Sequence, residues 1–171
     1  MEVKFENRYY GTNKMIYEYS WKVLCRRLII MGMIYMIASA VFWYFSYINS
    51  FTTSMEIFML VFIVELCIVA ITPPLTARQL IENSKKIHNG KEYESIIKFS
   101  DKIYMREGAF SLDIEYSQII RIYYLKHSCA LMFGKRNAVI IDMNKFSIGS
   151  SDEFKGFIKK ECVNLKKIIG T

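Results

Sequence analysis

The chain has 171 residues, 53% hydrophobic and 15% aromatic, with 2 Pro, 8 Gly and a formal net charge of +7. That composition excludes a disordered, low-complexity or collagen-like chain. The charges are unevenly placed: residues 1–27 carry a net +3, residues 28–74 a net −2 and residues 75–171 a net +6. From Leu28 to Met55 there is no Asp, Glu, Lys or Arg. Basic flanks around an almost uncharged block point to a membrane protein facing anionic lipid, not to a nucleic-acid binder.

At the N-terminus, Val3, Phe5 and the pair Tyr9-Tyr10 predict a short strand, and Gly11-Thr12-Asn13 a turn with a helix cap. Lys14 to Arg27 reads as a helix with Ile16, Tyr17 or Tyr19, Val23 and Leu24 on its apolar side. It is expected to run straight into the next segment. Residues 1–27 thus form a cytoplasmic arm.

Residues 28–74 read as a transmembrane hairpin. Leu28 to Ile48 is uncharged, and at about 1.5 Å per residue it suits a bilayer core of roughly 30 Å. Phe42, Trp43, Tyr44, Phe45 and Tyr47 crowd its far end, where amphipathic rings favour the interface. Asn49 to Ser54 is a short polar turn. The second span, residues 55–73, is apolar apart from Glu56 and Glu65, and Pro73-Pro74 is expected to end it. Arg26 and Arg27 precede the first span, and Arg78, Lys85 and Lys86 follow the second, while the connecting loop has no basic residue. The positive-inside rule then puts both termini in the cytoplasm of a multi-pass plasma-membrane protein. A cleaved signal peptide is not expected, because the apolar run starts late and is long. Glu2, Glu6 and Glu18 argue against a mitochondrial transit peptide. The competing reading is a buried helical hairpin of a soluble protein.

Residues 75–91 predict a linker helix, with Leu80, Ile81, Ser84 and Ile87 at helical spacing and Asn89-Gly90 as its stop. Residues 92–171 change period. Strand-like runs occur at Ile96 to Phe99, Ile103 to Met105, Phe110 to Tyr116, Ile119 to Leu125, Ala130 to Phe133 and Ala138 to Asp142. Turns fall at Ser100-Asp101, Glu107-Gly108, His127-Ser128 and Gly134 to Asn137. This spacing predicts an antiparallel meander or small barrel. Ser150-Ser151-Asp152 offers a helix cap, and Phe154, Phe157, Ile158, Cys162, Leu165 and Ile169 form the apolar stripe of a last helix. Lys159, Lys160, Lys166 and Lys167 take its solvated face. The fold class is therefore α+β: a two-helix hairpin plus a small β-domain capped by a C-terminal helix.

This order of elements resembles the YcxB-like family of bacterial membrane proteins. The resemblance lies in Pro73-Pro74-Leu75, in Ile97 to Met105 (IKFSDKIYM), in Tyr116-Ser117-Gln118-Ile119, in Val139 to Asp142 and in the helix starting at Ser151-Asp152-Glu153-Phe154. Asn144-Lys145-Phe146 stands where that pattern has a basic residue and a proline. The resemblance implies a C-terminal domain similar to a pleckstrin-homology (PH) barrel and implies no catalytic activity.

Candidate chemistry is sparse. Cys25, Cys67, Cys129, Cys162, His88 and His127 show no paired spacing for a metal, and no cofactor is expected. Disulfides are not expected on a reducing face. No G-x-S-x-G, phosphate loop or H-E-x-x-H occurs, and His127-Ser128 reads as a turn. Glu65 lies near mid-depth of the second span, level with Met36 to Ser39. An ionised carboxylate there is costly, so Glu65 is expected to be protonated or hydrogen bonded to Ser39, Tyr35 or backbone. The open alternatives are a polar contact between protomers and an ion site. Arg26, Arg27, Arg78, Lys85 and Lys86 form a basic collar that either contacts anionic lipid headgroups or only sets topology.

The leading reading is a non-enzymatic, membrane-anchored interaction module that binds protein or lipid headgroups. The alternatives are an immunity protein against a membrane-active toxin and an oligomeric pore subunit built around Glu65. Expected partners are the bilayer, anionic lipid, an unidentified protein and further copies of the chain. Nucleic acid is not expected.

Overall fold

The structure is a computed structural model that describes residues 2–134 and 137–170. The chain forms two compact units: Ser20–Leu80, and a second that joins the residues up to Tyr19 with those from Ile81 onward. Lys135 and Arg136 of the expected Gly134–Asn137 turn lie outside the described residues.

The first unit is a helical hairpin. Helix α2 spans Arg26–Ile48 and helix α3 spans Thr52–Ile87, whose last residues belong to the second unit. Both are long and apolar enough to cross a membrane. In the most apolar 18-residue stretch, 6% of α2 and none of α3 is buried. Such exposure is the reverse of a soluble core helix, whose apolar stripe is covered. Helix α2 turns Gly32, Ser39 and Ser46 toward α3, at successive steps of seven residues, and Ser39 and Ser46 are buried. A Cβ on Gly32 would overlap the side chain of Val69, so only glycine permits this approach.

Two expectations fail in this unit. The arm does not run as one α-helix into α2. Helix α1 covers Asn13–Tyr19, a π-helical turn covers Ser20–Leu24, and Cys25 breaks the helix before Arg26. The wider turn is set by the Cys25 amide, which donates to the Ser20 carbonyl five residues back at 2.8 Å. Nor does Pro73-Pro74 end a helix: α3 passes through both prolines, so the expected span and linker helix are one element of 36 residues. Three hydroxyls bond to backbone carbonyls in the neighbourhood of the prolines. Ser20 donates to Pro73 O at 2.7 Å, Thr72 to Ile68 O at 2.7 Å and Thr76 to Thr72 O at 2.9 Å.

Among the described residues the second unit holds nine strands: β1 (Phe5–Tyr10), β2 (Glu94–Phe99), β3 (Ile103–Glu107), β4 (Phe110–Ile114), β5 (Arg121–Tyr124), β6 (Cys129–Met132), β7 (Ala138–Ile141), β8 (Phe146–Ile148) and β9 (Lys167–Ile169). They form an antiparallel sheet in the order β4-β3-β2-β1-β8 and a second sheet in the order β7-β6-β5-β9. Among the described residues the two sheets do not pair into a closed barrel. In the first sheet, β1 pairs β2 with Phe5 opposite Phe99, and β2 pairs β3 with Phe99 opposite Ile103.

Helix α4 (Ser151–Glu161) begins at Ser150, whose hydroxyl accepts from the Glu153 amide while the Glu153 carboxylate accepts from the Ser150 amide. Phe154 is fully buried, with ring centroids 4.8 Å from Phe99, 5.1 Å from Phe146 and 5.6 Å from Phe5. Burial of one such ring stabilises by roughly 1.5–3 kcal/mol.

The expected last helix is too long. It stops at Glu161, and Ile169, Lys166 and Lys167 leave its face. Lys167–Ile169 instead pairs parallel to β5, preceded by a bond from the Lys166 amide to Ile120 O at 2.9 Å and one from Asn164 Nδ2 to Ser117 O at 2.8 Å. Strand β8 is likewise an element that the sequence reading lacks.

Candidate functional site

The hairpin brings two sequence-predicted residues together. The Ser39 hydroxyl lies 3.0 Å from Glu65 Oε2 and 3.0 Å from the Tyr35 carbonyl. Its single proton serves one acceptor at a time. Glu65 is half-buried and, with Gly32, Tyr35, Ile68 and Val69, lines a groove of about 220 Å³ on the hairpin surface. A second groove, of about 300 Å³ and wholly apolar, lies at Ala40, Trp43, Met59 and Phe62.

The basic collar is distributed. Arg26 is half-buried and Arg27 exposed at the start of α2, and Arg78 is exposed on α3. These three belong to the hairpin unit, whereas Lys85 and Lys86 belong to the other. Lys85 borders a cavity there, and Lys86 is exposed at the end of α3.

That cavity has a volume of about 460 Å³ and a mixed lining, more apolar than polar. Two stretches remote in sequence build it: the turn after β1 with the start of α1, and the last turns of α3 with the turn into β2 that follows them. Thr12, Asn13, Ser84, Lys85, Lys91 and Tyr93 reach it. Asn89 and Gly90 adopt positive φ (52° and 72°) and reverse the chain, so that Lys91 as well as Lys85 lines the cavity. The Tyr93 ring stacks on His88 with centroids 3.6 Å apart, and its hydroxyl lies 2.6 Å from the Ser84 hydroxyl. Sequence reasoning singled out Lys85 but not Lys91, Thr12, Asn13 or Tyr93. The Asn89-Gly90 turn was the only local signal, because the cavity exists only once β1 and β2 pair.

Other titratable groups serve the fold. Burial pushes the Glu6 carboxyl up, but hydrogen bonds from Arg8 and Ser147 and the charges of Arg8 and Lys98 outweigh it, so the net shift is downward. Cys129 and Cys162 are buried, and burial raises both thiols, Cys162 to about 12. Such thiols are poor nucleophiles. All four cysteines are free. Among the described residues, no three His, Cys, Asp or Glu side chains are grouped to hold a metal ion. His127 and Ser128 lie in the β5–β6 turn, whose Lys126 and His127 amides donate to the Glu18 carboxylate at 2.9 and 3.3 Å.

No family model matches the chain, no curated protein matches it, and no solved structure matches it.

Proposed function

We propose that this chain is a non-enzymatic, membrane-anchored interaction module. The hairpin Arg26–Ile48 with the apolar part of α3 spans the bilayer, both termini face the cytoplasm, and the two-sheet unit binds a protein or lipid headgroup there. The carrying observation is the pair of helices whose most apolar stretches leave almost every residue uncovered. Contiguous apolar surface on this scale needs a partner, and two helices joined by a short turn match a bilayer core. The charge pattern supports the orientation: Arg26, Arg27 and Arg78 flank the apolar stretches, and the turn between them has no Lys or Arg. The likeness to a YcxB-like, PH-like domain rests on the sequence resemblance alone, since among the described residues the two sheets do not close into a barrel. In this reading the full chain stays in carbonate-washed membranes and needs detergent for release. Recovery of full-length protein from cells without detergent overturns it.

One observation favours a second reading. Glu65 is only half-buried and borders a surface groove. A carboxyl at apolar depth gains from a partner across a helix interface, so the hairpins then associate as a homo-oligomer through this groove. Cross-linking at Ile68→Cys in membranes separates the two: a dimer band supports association, and monomer alone leaves the anchor reading.

A further inference from the structure

The cavity at the end of α3 belongs to the second unit, and its lining combines charged, hydroxyl and apolar side chains. The charged residues of its lining are Lys85, Lys91 and Glu92, so the balance of charge there is positive. Ligand pockets run from about 300 to 1,000 Å³, and this one, at about 460 Å³, is in that range. Ile16 and Ile81 give it an apolar wall.

The neutral donors are also arranged. Ser84 and Tyr93 share one hydrogen bond of 2.6 Å. Whichever hydroxyl donates in that pair, the other keeps its proton for a third partner. Burial raises the Tyr93 hydroxyl, so it remains a donor at neutral pH. The stack on His88 holds the Tyr93 ring in place. Thr12 and the Asn13 amide complete the polar lining. A single carboxylate does not need two separate ammonium groups. A phosphate, with three or more acceptor oxygens, can use both and accept a hydroxyl bond as well, and lysine binds phosphate as a point charge.

We propose that this cavity binds a phosphate ester, held by Lys85 and Lys91 with the Ser84–Tyr93 pair as neutral donor. The chemistry is shared by a phospholipid headgroup and a soluble phosphate ester. It deepens the interaction-module reading by naming the ligand class, and only the lipid source rests on the membrane anchor.

The test uses the full chain in detergent micelles. Glycerol phosphate is titrated by calorimetry, and phosphatidylglycerol is added and its retention counted by native mass spectrometry, with phosphatidylcholine as the neutral comparison. The wild type binds at least one phosphate probe in preference to phosphatidylcholine. The double variant Lys85→Gln/Lys91→Gln weakens that binding about tenfold or more, while Lys160→Gln, on an exposed face of α4, leaves it unchanged. Binding of both probes, or of either alone, supports the site and identifies the source. Failure to bind either, or equal binding by the double variant with an unchanged melting curve, overturns it. If glycerol phosphate binds with lysine dependence while the chain proves soluble without detergent, the anchor fails and the cavity assignment stands.

Discussion

The side-chain amide of Asn7 replaces a missing strand neighbour for Asp142. Its Nδ2 donates to the Asp142 carbonyl at 2.7 Å, and its Oδ1 accepts from the Asp142 amide at 3.2 Å. Strand β7 is the edge of its sheet, and this is the pattern a paired strand residue would supply. Tyr9 extends it, donating to Ile140 O at 2.5 Å. Two side chains of β1 thus fasten the edge of the other sheet.

Asn7 is fully buried, so its loss leaves two Asp142 backbone groups without their partner. Asn7→Ala is expected to cost about 1–3 kcal/mol for each buried group left unmet. Thermal denaturation of the full chain in detergent should show a lowered midpoint, and the Asp142 amide should exchange faster with deuterium. An unchanged midpoint with unchanged exchange at Asp142 would mean that this bidentate contact does not hold the sheets.

Gly32 sets the spacing of the hairpin. Gly32→Ala places a Cβ on the Val69 side chain, so the helices must separate or shift. The variant should lose helicity earlier in a dodecyl sulfate titration, and adding Val69→Ala should restore most of the loss, since overpacking costs typically about 1–3 kcal/mol. Equal behaviour of Gly32→Ala and wild type would remove this contact from the account.

Stability should fall on the alkaline side. Burial raises Cys162 from 9.0 to about 12 and Tyr19 and Tyr124 from 10.0 to about 12. Between these limits the unfolded chain has released protons that the folded chain still holds. The unfolded state therefore binds fewer protons, and unfolding free energy declines as pH rises. The stability is complete below pH 9 and is lost toward pH 12. Glu6 acts in the opposite sense. Its lowered value gives stability above its ordinary 4.5 that is lost as pH falls. Denaturation midpoints across pH should show both limbs, and Glu6→Gln should flatten only the acid one. A flat profile from pH 8 to pH 12 would contradict the burial of these hydroxyls and thiol (roughly three titrating groups).

Local signals carried the strands well. The Asn89-Gly90 stop and the Ser150 cap stand where turn chemistry put them, and the strand expected from Phe110 to Tyr116 forms over Phe110–Ile114, with Phe110 exposed and Tyr116 in a 3-10 turn. The misreadings share one cause: non-local bonds override local rules. Hydroxyl donors at Pro73 and Thr72 accompany a helix that proline should have ended. Lys167–Ile169 looks helical in isolation, yet β5 offers it a parallel edge. Phe146–Ile148 is too short to read as a strand until β1 is beside it. Of the candidate sites, Ser39 and Glu65 were legible because a hairpin in register levels them. The cavity was not, because its walls come from segments some seventy residues apart in the chain, between Thr12 and Ser84.

The central claim is that the two apolar helices cross a bilayer with both chain ends on the cytoplasmic side. The direct test is cysteine accessibility in intact cells expressing the full chain, with the four native cysteines replaced by serine. One cysteine is placed at Ser50, in the turn between the helices, or at Asn164, after α4. The account predicts that a membrane-impermeant maleimide labels Ser50→Cys in intact cells and Asn164→Cys only after the membrane is permeabilised. Labelling of Asn164→Cys but not Ser50→Cys in intact cells, or recovery of both variants in the soluble fraction, would contradict it.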